Sequence, residues 1–132
     1  MTADSQDRIL VIAEQAFVSW KKGLATRDWQ DFIAMLSDDF YFTFPVGQYQ
    51  GINRGKETAI TFFNFVSQIY PDGLTIELIN TIAGGSTVVF ELLSQGTMYG
   101  NFYKNRAAVC FEIKGKLISS YREYLAVFYR NP

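Results

Sequence analysis

Histidine is absent from the 132 residues, and cysteine occurs once, at Cys110. Without imidazole the chain lacks zinc's usual nitrogen ligand and the one side chain that titrates near neutrality unperturbed. Metal hydrolysis and Ser/His or Cys/His nucleophile schemes therefore lose their main parts, and neither a metal nor a cofactor is expected. A lone cysteine closes no intrachain disulfide, and with nothing nearby in sequence to activate it, Cys110 reads as an inert strand residue. Charge is scarce too: 12 basic and 13 acidic residues give a net charge of −1, with no basic block. That argues against nucleic acid or an anionic membrane as partner. No apolar run approaches the ~20 residues of a membrane span. The polar start Met1-Thr2-Ala3-Asp4 has no signal pattern, so the expectation is a cytoplasmic protein.

What the chain has in excess is aromatic rings: 12 Phe, 8 Tyr and 2 Trp. They centre on Asp39 to Gly51, D-F-Y-F-T-F-P-V-G-Q-Y-Q-G. Phe40, Phe42 and Phe44 alternate with Tyr41 and Thr43, which puts the phenylalanines on one face of a short strand. Pro45 and Gly47 end it, and a glycine-rich corner follows at Gly51 and Gly55. The rest of the chain reads as cover for that face. Ile9, Ile12, Ala13, Ala16, Phe17, Trp20 and Leu24 form one stripe of a helix over residues 5–24. A second helix, capped by Asp28, carries Trp29, Phe32, Ile33 and Leu36 and ends at Ser37. A third, after Gly55, carries Ala59, Phe62, Phe63, Val66, Ile69 and Tyr70 until Pro71-Asp72-Gly73. Residues 74–83, 87–97, 101–113 and 116–129 then read as four antiparallel strands, rich in β-branched and aromatic residues and separated by glycines. Strands grouped after helices argue for a single α+β domain over residues 1–132, with helices on one face of a curved sheet.

Within that order stand R-D-W-Q-D-F-I-A-M-L-S-D-D-F at 27–40, F-P-V-G with Gly51 and G-K-E at 44–57, V-V-F-E at 88–91, and G-K-L-I-S-S-Y-R-E-Y at 115–124. On these blocks the chain resembles the SnoaL-like branch of the NTF2-like superfamily, which includes ketosteroid isomerases and limonene epoxide hydrolase. The resemblance implies a cystatin-like cone: three N-terminal helices packed on a curved, antiparallel or mixed sheet that encloses a pocket, with a homodimer through the convex sheet face. It also implies catalytic positions, and most are replaced here. The isomerase base falls at Phe44, its oxyanion tyrosine at Trp20 and its protonated aspartate near Val109. The epoxide hydrolase Arg and Asp fall at Leu92 and Ser94, and the last-strand aspartate of many relatives falls at Ala126.

If Ala126 faces the pocket, alternation puts Tyr124, Arg122 and Ser120 beside it and sends Glu91 and Glu123 to the other face. Arg122 would then meet either an anionic ligand or a structural acid such as Glu91, Asp38 or Asp39. Phe90, Leu92 and Ser94, with Asn105, Ala107, Val109 and Phe111, face inward from the preceding strands. The expected binding set is Arg122, Tyr124, Phe17, Trp20, Trp29, Leu36, Phe42, Phe44, Phe63, Phe90, Leu92, Ser94, Asn105 and Val109. Tyr124 and Asp39 are the weak catalytic candidates. The first functional reading is a pocket for a small lipophilic molecule, carboxylate-bearing or not. The second is an isomerase or cyclase acting on a polyketide- or terpenoid-like substrate. The third is a non-catalytic dimerisation module using Val89, Leu93, Tyr121, Leu125 and Val127.

Overall fold

The computed structural model describes residues 3–126, with side chains from residue 5. The elements are α1 (Ala3–Thr26), α2 (Gln30–Ala34), β1 (Leu36–Phe44), a 3-10 turn (Gly47–Tyr49), β2 (Gly51–Arg54), α3 (Lys56–Ile69), β3 (Leu74–Gly84), β4 (Thr87–Met98), β5 (Asn101–Lys114) and β6 (Leu117–Leu125). They form one six-stranded sheet in the order β2-β1-β6-β5-β4-β3. The pairs β1–β2, β3–β4, β4–β5 and β5–β6 are antiparallel, while β1 and β6, far apart in sequence, pair in parallel, and β2 and β3 are the two edges. No helix among the described residues is long and apolar enough to cross a membrane.

The helices cover one face of this sheet with the predicted stripes. Ala13, Ala16, Phe17, Trp20 and Leu24 of α1 and Ala59, Phe62 and Phe63 of α3 are buried against Phe40 and Phe42 of β1 and Phe90, Val109 and Phe111 of the long strands. Rings meet rings throughout: Phe17 stacks on Phe90 at 4.5 Å, and Phe63 lies 4.5 Å from Trp29 and 5.2 Å from Phe32. The indole N–H of Trp29 donates to Ser67 Oγ at 2.7 Å, satisfying the polar end of a buried ring.

Two local expectations need correction. The second helix stops at Ala34 rather than Ser37, although Asp28 does accept the Gln30 amide at 3.1 Å. The Ile118 amide donates to the Met35 carbonyl at 2.8 Å, so the sheet captures the chain and Leu36 and Ser37 are already strand. The glycine corner at Gly51 also contains a strand, β2, whose Gly51–Arg54 pair with Phe44–Tyr41. Of the expected last strand 116–129, residues 127–129, Val127 among them, lie outside the described residues.

The phase of β6 decides what the sheet presents to the helices. Ile118 is fully buried opposite Ile113, and strict alternation from it would carry Ser120, Arg122 and Tyr124 inward. Instead, Glu112 pairs with Ser120 while its neighbour Ile113 pairs with Ile118, so Ser119 is an extra residue on β6. This bulge inverts the pattern beyond it. Tyr121 pairs with inward-facing Phe111, Glu123 with Val109 and Leu125 with Ala107. Tyr121 and Leu125 are thus on the helix-covered face and not on the convex face expected for a dimer. Arg122, opposite Cys110, and Tyr124, opposite Ala108, take the convex side.

Candidate functional site

The helices do not fill the concave side completely. Between α1, α3 and β3 to β6 lies a cavity of about 70 Å³, room for roughly five water-sized groups at ~10–15 Å³ each. Trp20 and Leu24 of α1, Phe44 of β1, Phe62, Phe63, Phe65, Val66 and Ile69 of α3, and Tyr70 just after it form one side of it. Leu74, Ile76, Leu92, Ser94, Tyr103, Ala107, Tyr121, Glu123 and Leu125 form the sheet side. The lining is overwhelmingly apolar with a few polar atoms, the usual character of a small-molecule pocket.

Glu123 is the one formally charged residue on that wall among the described residues. The Tyr121 hydroxyl donates a hydrogen bond to its carboxylate. Glu123 is partly buried, and its apolar surroundings penalise the anion and push the carboxyl up to about 7, against the partial compensation from Tyr121. Tyr121, fully buried, is raised well above the usual phenol range, first by that burial and then by the neighbouring carboxylate, while Trp20 acts in the opposite sense. Tyr70 is likewise raised, by burial and then by Tyr103, whose ring centroid is 5.2 Å away. The Tyr103 hydroxyl accepts from Asn105 Nδ2 at 3.1 Å. The wall therefore holds an acid poised near neutrality beside two phenols, Tyr70 and Tyr121, that burial keeps protonated.

Of the expected binding residues, Trp20, Phe44, Phe63, Leu92 and Ser94 line the cavity. Phe17, Trp29, Leu36, Phe42, Phe90 and Val109 are packed core. Asn105 is buried behind Tyr103, and its Oδ1 has no hydrogen-bond partner among the described residues. Arg122 and Tyr124 are corrected outright, because the Ser119 bulge turns them away. Arg122 pairs with Glu112 at 3.8 Å on the convex side, not with Glu91, Asp38 or Asp39. Glu112 also accepts from Ser86 Oγ at 2.5 Å and Thr87 Oγ1 at 2.7 Å. Burial works to raise that carboxyl, but these hydroxyls and Arg122 prevail and hold it below the usual range. Tyr124 is 55 % exposed beside a shallow groove with Ile79, Glu91 and Arg106. Asp39 is also off the site: it is exposed, accepts from Ser37 Oγ at 2.8 Å, and is lowered by that bond and by Lys114. Cys110 is buried under Arg122, and desolvation raises its thiol.

Sequence reasoning missed Tyr121 and Glu123 as cavity residues. Their signal was a serine pair, Ser119-Ser120, at which a strand can gain a residue, but nothing in the alternation marks where such a bulge falls. Cys110, Arg122 and Glu112 belong to a separate, convex-side cluster. No group of three or more Cys, Asp or Glu residues that could hold a metal ion occurs among the described residues.

Three helices on a mixed sheet curved around an aromatic cavity define the NTF2-like, cystatin-like α+β cone. The SnoaL-like domain profile matches residues 15–121, and the chain belongs to that family. An NTF2-like protein from Anabaena variabilis ATCC 29413 is 44 % identical over 97 % of this chain and 96 % of its own, with a TM-score of 0.91. A protein described as a SnoaL-like polyketide cyclase from Jannaschia sp. CCS1 is 17 % identical, with a TM-score of 0.77 over 95 % and 90 % of the two chains. One described as a ketosteroid isomerase from Kribbella flavida DSM 17836 is 20 % identical, with a TM-score of 0.69 over 96 % and 84 %. These last two similarities concern the fold. No curated protein matches the sequence.

Proposed function

We propose that this protein binds a small, largely apolar molecule in the cone cavity, with Glu123 as the group able to exchange a proton with it. The observation that carries this reading is the cavity itself, an unfilled space among aromatic side chains with one carboxyl group on its wall. A purely structural module would gain stability by filling that space, since packed cores leave few voids larger than a water molecule. The guanidinium expected to anchor a carboxylate-bearing ligand lies on the convex face, paired with Glu112. The cavity's own charge is negative when ionised, so a carboxylate is the least favoured ligand.

A second reading, proton-transfer catalysis of the isomerase or cyclase kind, is favoured by the raised carboxyl of Glu123. A general base works best with a pKa near the operating pH, and Tyr121 is placed to steady its anion. The Jannaschia and Kribbella relatives are consistent with that class of chemistry at the level of fold. We also propose a homodimer across the convex face, where Val89 and Leu93 lie and Ile79, Ile82 and Tyr124 are exposed.

Native mass spectrometry of protein purified from its own host tests the first reading. A retained small molecule that is released on denaturation is expected. Leu92→Trp, which places an indole in the cavity, should remove that molecule while circular dichroism stays native. Retention by a folded Leu92→Trp variant would place the ligand elsewhere and end the proposal.

A further inference from the structure

We propose that the cavity selects small organic ammonium cations of about five non-hydrogen atoms, with Glu123 as counter-charge and the surrounding rings as the cage. The inference deepens the ligand reading above and rests on it. Three observations converge. The cavity is small, about 70 Å³, so the enclosed part of a ligand is limited to roughly five water-sized groups. Its wall carries a carboxylate and, among the described residues, no Lys or Arg. The remaining wall is ring-rich: Trp20, Phe63, Tyr70, Tyr103 and Tyr121 all contribute.

Each ligand class meets this wall differently. An anion faces a like charge and the negative faces of the rings. A neutral ligand leaves an ionised Glu123 with the Tyr121 hydroxyl but no counter-charge in an apolar space, which is costly and favours the protonated carboxyl. A cation supplies that counter-charge and is attracted to ring faces within about 6 Å, most strongly where water is excluded. If a neutral amine enters instead, the Glu123 carboxyl proton passes to the amine nitrogen. The resulting ammonium–carboxylate pair needs no further reactant. Tyr121 on the same strand, Tyr70 at the C-terminal end of α3 and Tyr103 from β5 share the wall as titratable groups, and Trp20 from α1 and Ser94 from β4 as uncharged ones. Tyr70 and Tyr121 are shifted upward, so the carboxylate is the group expected to govern behaviour between pH 5 and 8.

The test uses tetramethylammonium chloride, a cation that cannot titrate, against tert-butanol, a neutral molecule with the same number of non-hydrogen atoms. Each is titrated by NMR into wild-type protein and Glu123→Gln at pH 8 and pH 5.5, with sodium chloride as ionic-strength control. At pH 8 the cation should bind wild type at least about tenfold more tightly than tert-butanol. That advantage should fall by about tenfold or more at pH 5.5, where a carboxyl titrating about 7 is mostly protonated. It should disappear in Glu123→Gln, which should still take up tert-butanol. Equal affinities in wild type, or a cation preference that survives Glu123→Gln, would overturn the ammonium inference and leave the pocket reading in place. Failure of both probes to bind at all would overturn both.

Discussion

Glu123 links the cavity to stability as well as to ligands. Its carboxyl ordinarily titrates at 4.5 and is raised to about 7 in the fold. Between those values the folded chain holds a proton that the unfolded chain has released. The contribution of this group is therefore fully present below about pH 4.5, falls as pH rises toward 7, and levels off above it, a loss of up to about 3 kcal/mol. Denaturant unfolding at pH 5, 6 and 8 should show that decline in wild type and a much flatter profile in Glu123→Gln. Equal slopes would mean that the carboxyl is solvated. Arg122 is the contrasting case. Arg122→Met should leave cavity binding unchanged and cost less than about 1 kcal/mol, because the pair with Glu112 is partly exposed and Ser86 and Thr87 continue to hold the acid. The residue types needed at the site were legible in the sequence, but on β6 they were assigned to the wrong neighbours. Arg122-Glu123-Tyr124 offers a polar side chain to either face, so composition could not set the phase.

At the scale of elements, the stripes of α1 and α3 and the alternation on β4 and β5 were readable because each repeats several times. A period seen over three or four turns survives a local irregularity. The short α2, the four-residue β2 and the bulge at Ser119 have no such redundancy, and tertiary hydrogen bonds decided them. Two positions test the packing between elements. Gly73, just before β3, has φ of +82°, and a Cβ there would lie 2.3 Å from the Ala25 carbonyl oxygen at the end of α1. Gly73→Ala should cost several kcal/mol, since backbone must move and the conformation is strained as well; a change below about 1 kcal/mol in urea unfolding would show that the α1–β3 contact yields easily. Phe32 packs edge-on against Trp29 and Phe63 and is fully buried. Phe32→Ala should lower stability by about 3–5 kcal/mol, with a matching drop in thermal midpoint by calorimetry.

For the molecule as a whole, the α+β cone was legible because helices precede the long strands, an order that few architectures accommodate. The contents of the cone were less so. A ring-lined core and a ring-lined pocket share one composition, and only coordinates separate Phe63 at the cavity wall from Phe90 in the packing behind it. The proposed dimer is tested on the same scale. Replacing Ile82, half exposed and paired with Val89 on the convex side, by lysine should shift sedimentation to the monomer without loss of helix or strand signal. An unchanged sedimentation coefficient would remove the convex face from any self-association.

The parallel pairing of β1 with β6 carries a consequence for synthesis. The strand built from residues 36–44 cannot find its central neighbour until residues 117–125 have left the ribosome. Until then the β1–β2 hairpin and the β3–β4–β5 meander are two fragments with open edges, and their phenylalanines have no shared interior. Completion of the final strand joins them in one step, so a released chain ending before residue 117 should remain protease-sensitive while the released full chain resists.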